Sequence, residues 1–582
     1  MPAERPLKVV LCWHMHQPEY RDLVSGEYQL PWTYLHAMKD YADMAAHLEA
    51  VPGMRAVVNF APVLLEQLRD YDAQLQAYLR DGGPIRDPLL AALDEPALPV
   101  RPEERLALVK ACLRANRRHM IEAYPRYRLL AEMADWMGER QGPVAYLSEE
   151  YLADLLVWYH LAWLGETVRR EDPRVARLMA KGGHFTLHER RELLEVIAEL
   201  IGGLLGRYRR LAEGGRVELA MSPYGHPMLP LLLDLEAARE AQPKIQLPLL
   251  RPYPGGEERA RWHLEEGLRV FEACFGHRPA GCWPSEGGLS EATLRLLGEH
   301  GFRWTATGES VLAHSLDAAG QAREGRGWLF RPYRLEGSGA VPACFFRDDG
   351  LSDLIGFSYA DWRADDAVAD LVGHLENIAR QVAGDPQAVV SIILDGENAW
   401  EHYPYNGYFF LRQLYERLAE HPGLEPTTFA DCLDQGLAPR PLPRLVAGSW
   451  VYGTFSTWIG DPDKNRGWEL LGRAKEAFDR ARASGYLAGP ALAAAERQLA
   501  ACEGSDWCWW FGDYNPAETV SDFDRLYRMH LGNLYHLVGE EPPEELAHHV
   551  SHGADGGPGA GPEAAERGGD HAPRPGPGLA GA

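Results

Sequence analysis

The chain has 582 residues, which at about 150 residues per domain allows two to four domains or one enzyme-sized core with additions. Its 59 Lys and Arg residues against 84 Asp and Glu residues give a net charge of -25, which repels phosphate backbones and anionic lipids, so we expect no nucleic acid and no membrane partner. The 17 Trp and 25 Tyr residues exceed the usual need of a core, which favours a ligand with flat, ring-shaped faces.

The eight cysteines form no Cys-x-x-Cys spacing and no paired framework. We therefore expect reduced, mostly buried thiols, and we predict no cofactor and no metal. The N-terminal apolar run is short, and no segment reaches the ~18 apolar residues of a membrane span. These features predict a cytoplasmic protein, but they do not indicate its oligomeric state.

Short apolar, β-branched runs recur along the chain, and each ends in polar or aromatic residues followed by a helical pattern. This order is typical of an α/β barrel, in which the chemistry lies at the carboxyl ends of parallel strands. The runs that we predict as strands are residues 7–12, 57–60, 217–221, 281–282 and 389–394.

Two long segments between these strands, residues 103–137 and 150–211, carry apolar residues at three- and four-residue spacing, which predicts helical insertions above the barrel mouth. Beyond Pro443 the pattern changes to Trp-rich loops and helices. From about Glu541 the chain is rich in Gly, Pro, Ala and His, which favours disorder. We therefore predict a catalytic barrel domain (1–440), a helical domain that completes the cleft (441–540) and a disordered tail (541–582).

His14 and His16 form a His-Met-His step at the end of the first predicted strand. Alternate residues of a strand point to one face, so both rings project the same way. Three interpretations stay open for this pair: a buried structural pair, metal ligands, or hydrogen-bonding partners of a substrate.

Two acids follow predicted strands that are far apart in the chain. Glu286 comes after Trp283-Pro284 and before two glycines, and Asp395 closes the strongest apolar run. Glu286 could also be an exposed loop residue, and Asp395 could cap the next helix. Paired carboxylates with aromatic rings nearby are, however, what glycoside cleavage requires, since one attacks or stabilises the anomeric carbon and the other donates a proton.

Five stretches occur in one order: HMHQPEY, VELAMSPYGHPMLPLL, GCWPSEGGLS, ILDGENAWEHYPYNG and GSWVYGTFSTWIGDPDKNRGW. They resemble the five sequence regions of glycoside hydrolase family 57, the α-amylase and amylopullulanase group, and look most like its amylopullulanase-type branch. The resemblance implies a seven-stranded (β/α) barrel with helical insertions, followed by an all-helical C-terminal domain. It also implies a retaining mechanism on α-glucosidic bonds.

By motif position, the resemblance makes Glu286 the nucleophile and Asp395 the general acid/base. We expect Glu286 to be ionised, Asp395 to have a raised pKa, and the two carboxyls to lie ~5 to 5.5 Å apart. His14, His16 and His226 would line the subsite of the cleaved sugar. The other residues implied to bind substrate or hold the cleft are Trp283, Arg347, Asp353, Glu397, Trp400, Trp450 and Trp458; a structural salt bridge is the alternative for Arg347 and Asp353.

The implied function is a retaining glycoside hydrolase that cleaves α-1,4 bonds of glycogen, starch or maltodextrins, with α-1,6 cleavage left open. Its partner would be an α-glucan or maltooligosaccharide. One alternative is a 4-α-glucanotransferase that uses the same residues. A metal-dependent carbohydrate hydrolase or deacetylase, with His14, His16 and His226 as ligands, and a non-catalytic glucan-binding protein are the further alternatives.

Overall fold

The computed structural model describes residues 5–138, 141–249, 252–337 and 339–554. Seven parallel strands form a closed barrel in the order β7-β5-β4-β3-β2-β1-β8, and β8 returns to β7 by pairing Ser391 with Arg347. The predicted seven-stranded barrel is confirmed. The strands are β1 (Leu7–Met15), β2 (Ala56–Phe60), β3 (Val217–Met221), β4 (Gly281–Cys282), β5 (Trp304–Gly308), β6 (Tyr333–Leu335), β7 (Ala343–Arg347), β8 (Val389–Asp395), β9 (Leu424–Pro426) and β10 (Arg440–Leu442).

Three of these strands lie outside the barrel wall. β9 pairs with the start of β1, β6 runs antiparallel to β7, and β10 pairs with β6. β9 and β6 pair near the first residues of β1 and β7, where these wall strands begin. The carboxyl ends of the seven wall strands are therefore free for loops.

The barrel wall is apolar on both sides, because one face of each strand fills the interior and the other packs under helices. A separate interior cluster contains Val10, Val57, Trp304, Phe345 and Ile393, all almost fully buried. All eight cysteines are free and all except Cys508 are buried, as predicted.

The two predicted helical insertions exist, but each is divided into several helices. Pro125 and Pro173 each stand at the first position of a new helix, where proline is tolerated but cannot continue the preceding one. The first insertion contains Pro102–Ala111, Arg117–Ile121, Pro125–Met137 and Gln141–Val144, and the second Glu149–Trp163, Glu166–Glu171, Pro173–Lys181 and Leu187–Glu213.

The remaining helices up to residue 440 cover the outer wall or follow the strand ends. They are Trp32–His36, Ala37–Tyr41, Ala42–Ala50, Pro62–Asp81, Pro88–Ala91, Leu229–Leu233, Ala238–Ala241, Gly256–Phe275, Glu291–Glu299, Glu309–Ala318, Asp349–Asp353, Leu354–Ser358, Ala364–Gln381, Tyr408–Glu420 and Phe429–Asp434. Short 3₁₀ turns are Leu235–Ala237, Ser285–Gly287, Tyr359–Asp361, Asn398–His402, Pro404–Gly407 and Glu544–Ala547.

The C-terminal part is helical, as predicted, with helices Pro462–Ala483, Gly489–Cys502, Asp506–Trp510 and Ala517–Leu537. A buried ionic cluster joins it to the barrel helices: Glu503 accepts hydrogen bonds from Arg259 at 2.9 Å and from His263 at 2.8 Å. Next to this cluster, Gly504 forms an antiparallel bridge with Pro227, which follows β3. The two parts of the chain therefore meet at the carboxyl end of the barrel.

The prediction of a disordered tail is wrong for residues 541–554. Leu546 and Val550 are buried there, and Asp524 accepts a hydrogen bond from the Val550 N–H at 2.7 Å. These anchors outweigh the unfavourable composition; residues 555–582 lie outside the described part of the chain. Within the described residues, no helix has both the length and the apolar character needed to cross a bilayer.

Candidate active site

The predicted acids and histidines lie together at the carboxyl end of the barrel. In the sheet register, His14 of β1 stands beside Asn59 of β2 on one side and beside Asp395 of β8 on the other. Glu286 follows β4, four residues after Cys282. The short parallel strands thus bring together residues that are up to 381 positions apart in sequence, counting from 14 to 395.

Glu286 is held by a strained turn. Its φ is 57°, in the left-handed region that non-glycine residues rarely occupy, and Gly287 follows with φ 60°. The Trp450 indole N–H donates to Glu286 Oε2 and the Trp450 backbone N–H donates to the Glu286 carbonyl, both at 3.1 Å. Such backbone strain costs of order 1–3 kcal/mol and is typical of functional sites; here it aims the carboxyl toward His226, whose Nδ1 lies 3.9 Å from Glu286 Oε1.

A chain of hydrogen bonds fixes the tautomers of two histidines. His14 Nδ1–H donates to Asn59 Oδ1 at 2.6 Å, so Nε2 of the neutral ring is an acceptor, and it receives the His226 Nε2–H at 3.1 Å. His226 Nδ1 then accepts from the Ser505 hydroxyl at 2.9 Å. Burial lowers the pKa of His14 to about 3 and the pKa of His226 well below its usual range, with His16 adding to both effects. Both rings are therefore neutral at physiological pH.

His16 contacts acids from two distant parts of the chain. Its Nε2–H donates to Asp506 Oδ1 at 2.8 Å, and its backbone N–H donates to Glu397 Oε1 at 3.3 Å. Glu397 is buried, and its Oε1 also accepts from Gln17 Nε2 at 3.2 Å and from the Tyr41 hydroxyl at 3.3 Å. Burial raises the pKa of Glu397 well above its usual range, and nearby Asp395 adds to this.

Glu286 and Asp395 influence each other's protonation. Burial raises the pKa of Asp395 to about 6, against lowering effects of His16, Asn398 and Arg347. Burial also raises the pKa of Glu286 well above its usual range, with Asp395 and Asp506 adding to it and the Trp450 N–H opposing it. The raised pKa expected for Asp395 is found. The pKa of Glu286 is raised as well, which opposes the ionised state expected of it, because the carboxyl is largely desolvated and faces two other acids. Both acids therefore keep a proton to a higher pH than they would in water.

The predicted aromatic residues divide into two groups. Trp450 is half-buried and lies edge-on to Trp283, with ring centroids 5.3 Å apart, and both lie beside the histidines or Glu286. Trp283, Trp400 and Trp458 are almost completely buried, so Trp283 supports Trp450 and its prediction as a direct substrate contact is corrected. The Trp400 indole donates to the Gly396 carbonyl at 2.9 Å and packs on Trp13, so the prediction that Trp400 contacts substrate directly is corrected. Trp458 packs against Trp509 of the C-terminal helices, so its prediction as a substrate contact is corrected as well.

Arg347 and Asp353 form a structural salt bridge, which is the alternative given for this pair in the sequence analysis. Arg347 is 7% exposed, and its Nη2 donates to Asp353 Oδ1 at 2.7 Å. The guanidinium also donates to Asp349 and to the Ile393 carbonyl. With its donors directed at protein acceptors, Arg347 supports the strand that carries Asp395, which corrects its prediction as a substrate contact.

Three residues of the site are absent from the sequence predictions: Asn59, Ser505 and Asp506. Asn59 closes the apolar run of β2, so a polar side chain at a strand end is a signal that could have indicated it. Ser505 and Asp506 stand in the SDWCWW stretch, where Ser505 precedes and Asp506 begins the short helix Asp506–Trp510. Nothing local in that stretch indicates that it reaches the barrel mouth.

His16, His226 and Asp506 are the group of described residues that could hold a metal ion, since one ligand atom from each lies within 4.8 Å of the others. The rings of His16 and His226, however, stack with centroids 3.8 Å apart and planes 18° apart. Their nitrogen lone pairs therefore run nearly parallel and do not converge on one point. Each His226 nitrogen is also already hydrogen-bonded.

The arrangement suits acid-base and nucleophilic chemistry on a neutral, hydroxyl-bearing ligand. It combines two carboxyls of raised pKa with two neutral imidazoles. Among the described residues, buried polar atoms near it without a protein partner include His16 Nδ1, Trp283 Nε1 and Glu397 Oε2. Such atoms need a hydrogen-bonding ligand, because a buried unpaired polar group is costly.

Comparison with known proteins matches most of this chain to one enzyme family. The sequence model of glycosyl hydrolase family 57 matches residues 10–440, which is well over half of the chain. The match includes Glu286 and Asp395 and all the strands of the barrel wall, apart from the first residues of β1.

Solved structures with similar folds include a family 57 branching enzyme from Thermococcus kodakaraensis, crystallised with glucose. It has a TM-score of 0.58 and 17% sequence identity over 91% of this chain and 90% of the other. The α-amylase AmyC from Thermotoga maritima has a TM-score of 0.56 and 14% identity, over 92% and 93% of the two chains. The 4-α-glucanotransferase from Thermococcus litoralis has a TM-score of 0.50 and 14% identity, over 91% of this chain and 60% of that one.

Proposed function

Because the chain belongs to glycosyl hydrolase family 57, we propose that it is a retaining enzyme that cleaves α-1,4-glucosidic bonds through a covalent glycosyl intermediate on Glu286. The observation that carries this proposal is the carboxyl pair. Glu286 and Asp395 follow or end two strands of one barrel and flank the same group of histidines, and Asp395 adds to the raised pKa of Glu286. Retention requires two such carboxyls.

In this proposal, Asp395 donates its proton to the glycosidic oxygen while Glu286 attacks the anomeric carbon. The glycosidic bond breaks, the sugar is joined to Glu286 with inverted configuration, and the leaving chain departs with the proton. Asp395, now ionised, removes a proton from water or from a sugar hydroxyl, which displaces Glu286 and restores the original configuration. The pair must therefore hold one proton at the start, which agrees with the raised pKa values of both acids.

The neutral histidines have a binding role in this scheme. His14 and His226 carry no charge, and their ring nitrogens are hydrogen-bonded within the protein, so they line the site without attracting anions. His16 Nδ1 has no protein partner among the described residues and is the nitrogen that would bind a sugar hydroxyl. His16, held by Asp506, is near enough to Asp395 to lower the pKa of that carboxyl. Trp283 is fully buried, like Trp400, and packs against Trp450, whereas the half-buried Trp450 is a ring that a sugar can reach beside Glu286.

The substrate class is proposed as α-glucans, from glycogen or starch to maltooligosaccharides. The structurally similar proteins reported above are described as a branching enzyme, an α-amylase and a 4-α-glucanotransferase. Hydrolysis and transfer share the same intermediate and differ in the acceptor, so hydrolysis is the proposal and transfer is an outcome of its test. The amylopullulanase-type preference and the cytoplasmic location stay predictions.

The test is a product profile of the purified protein on amylose, pullulan and maltotriose, with proton NMR to follow the anomer first released. We expect shorter α-maltooligosaccharides, released first as the α anomer. Longer products or new α-1,6 branches would indicate transfer instead, and release of the β anomer would overturn the retaining mechanism.

Glu286→Gln is the matched control, because it keeps the size of the side chain and removes the nucleophilic charge. We expect a loss of at least ~10³-fold in kcat, with an unchanged thermal transition. A Gln variant with substantial activity would refute the assignment of Glu286.

A further inference from the structure

Arg347 lies where β7 pairs with β8 and so closes the barrel. It is the last residue of β7, and in the sheet register it stands beside Gly308 of β5 on one side and Ser391 of β8 on the other. Its side chain is 9% exposed, so the guanidinium lies inside the protein at the carboxyl end of the wall. An arginine placed there requires specific partners, because burying an unpaired charge is very costly.

The guanidinium binds the strand that carries Asp395. Arg347 Nε–H donates to the carbonyl of Ile393, two residues before Asp395, at 2.8 Å. Nη1 donates to Asp349 at 2.9 Å and Nη2 to Asp353 at 2.7 Å. Three N–H groups of one planar fork therefore have fixed acceptors, which holds the orientation of the whole group.

The same guanidinium lies against the residue that holds Glu286. Its central carbon is 5.3 Å from the ring centroid of Trp450, a cation–π distance. Trp450 makes two hydrogen bonds to Glu286, one from the indole and one from the backbone. Trp450 is also confined by glycines: a Cβ at Gly308 would come within 2.7 Å of its Cα, and one at Gly287 within 3.2 Å of its Cβ.

We infer that Arg347 is a positioning residue that links the two catalytic carboxyls: it fixes the end of β8 next to Asp395 and, through the face of Trp450, the hydrogen bonds to Glu286. It acts through these neighbours and does not contact substrate. This inference rests on the proposed roles of Glu286 and Asp395.

The charge of Arg347 has a second effect. The charged groups facing it are Asp349 and Asp353 from its own segment and Asp395 from β8; Glu309, after β5, faces Asp349. Burial raises the pKa of Asp395, and His16, Asn398 and Arg347 oppose the increase. Removing the guanidinium should therefore raise the pKa of Asp395, which must be protonated for the first step.

Loss of Arg347 should also loosen Trp450, whose N–H keeps the pKa of Glu286 from rising further. The acidic limb of a pH profile depends on ionising Glu286, and the basic limb depends on keeping the proton on Asp395. Both limbs should then move to higher pH. A purely structural loss of stability would reduce the amount of active protein without moving either limb.

The experiment compares Arg347→Met and Arg347→Lys with the wild-type enzyme, measuring kcat, KM and the pH profile of kcat/KM on maltooligosaccharides. For Arg347→Met we expect a fall in kcat of about 10- to 100-fold with little change in KM, and both limbs displaced upward by about 0.5 to 1 pH unit. Arg347→Lys keeps the charge but loses the planar fork, so it should lower kcat while leaving the basic limb near its wild-type position.

Arg331→Lys is the matched control. Arg331 pairs with Asp385, just before β8 begins, so the variant alters an arginine–aspartate pair beside the same strand at its opposite end. We expect its kcat and pH limbs to match the wild type.

Two results would overturn the inference. One is a folded Arg347→Met variant whose kcat stays within about threefold and whose limbs do not move; the other is a rise in KM alone, which would make Arg347 a substrate contact. If Arg347→Met does not fold, Arg347→Lys decides, and an unchanged kcat overturns the inference. Failure of the proposed function is distinguishable, because it would show as a wild-type protein without α-glucan turnover, and the inference would fall with it.

Discussion

Glu286 and His226 are two of the six non-glycine residues in the described chain that have a positive φ. The left-handed region costs an ordinary side chain free energy and costs glycine almost none. The fold therefore keeps a strained backbone at both positions to direct a carboxyl and an imidazole into one space. A glycine at position 286 should fit this backbone without strain, which makes it a useful way to remove the carboxyl.

Asp395 should lower stability at neutral pH. Its pKa is about 6 in the folded chain, against ~3.9 for an unfolded aspartate. Between these values the folded state binds more protons than the unfolded state, so stability falls as the pH rises, and the full penalty is present above pH ~6.

Asp395→Asn removes this penalty while it abolishes the acid/base function. We expect the free energy of unfolding to increase by up to about 3 kcal/mol at neutral pH, since the difference is about 2 pKa units and each unit corresponds to about 1.4 kcal/mol, and no gain at a pH below ~4. Thermal unfolding at the two pH values checks this. An Asn variant that is no more stable at neutral pH would contradict a raised pKa at position 395.

Removal of metal ions should leave activity unchanged. His14 Nε2 and His226 Nδ1 already accept hydrogen bonds, and the stacked rings of His16 and His226 do not direct their lone pairs to one point. We expect full turnover after exhaustive treatment with EDTA. Activity that is lost and then restored by Zn²⁺ would instead support the metal-dependent hydrolase named among the sequence alternatives.

Among individual residues, the sequence predicts those that stand in ordered motifs beside strand ends, such as Glu286, Asp395 and His226. It does not predict Ser505 or Asp506, because they reach the site through packing of the C-terminal helices and not through a strand end. The burial of Trp400 also depends on tertiary packing. An aromatic residue near an acid occurs both in binding clefts and in cores, and Trp400 belongs to the core because it packs against Trp13.

The element that completes the site is the turn after helix Gly489–Cys502. Gly504 bridges to Pro227, and Ser505 N–H donates to the His226 carbonyl at 2.9 Å. Gly225 makes this close approach possible, since a Cβ there would lie 2.6 Å from the Ala500 carbonyl oxygen and 3.0 Å from the His263 ring. The contact between the barrel and the C-terminal helices therefore requires glycine at position 225, because a side chain there would collide with residue 500.

Gly225→Ala should separate these two elements. We expect a loss of about 1–3 kcal/mol in the free energy of unfolding, together with a large loss of kcat, because His226 and Ser505 move apart. The measurements are chemical unfolding and steady-state kinetics. Wild-type stability and activity in this variant would show that the contact is not needed.

Gly203→Ala is the matched control. Gly203 lies in helix Leu187–Glu213 with no heavy atom within 4 Å of an added Cβ. The same change of one methyl group should raise stability by about 0.5–1 kcal/mol and leave kcat unaltered.

Five of the seven wall strands are predictable from sequence because they are apolar runs that end in polar groups. β5 and β7 are not among the predicted strands. The sequence of β5, Trp-Thr-Ala-Thr-Gly, mixes hydroxyl and apolar residues, and Thr305 and Thr307 are nevertheless fully buried. In a closed barrel both faces of each strand are covered, so apolar and polar residues need not alternate along it. The alternation that identifies a half-exposed strand in sequence is therefore missing here.

The whole molecule is a barrel whose carboxyl end is completed by chain segments from both sides. Helical insertions follow β2, and the C-terminal helices supply Ser505 and Asp506. The family resemblance predicts this overall order, because it depends on motifs spread along the chain. The order of residues 541–554 is not predictable from their composition, since it arises from Asp524 and from burial of Leu546 and Val550.

Rescue with azide, using α-maltosyl fluoride as substrate, tests the central claim most directly, since fluoride leaves without a proton from Asp395. In Glu286→Gly, azide should replace the nucleophile and attack once, giving the β-maltosyl azide. In Asp395→Ala, the glycosyl intermediate still forms on Glu286 and azide intercepts it from the other face, giving the α-maltosyl azide. Opposite anomers from the two variants are the predicted result, and the same anomer from both would contradict the account.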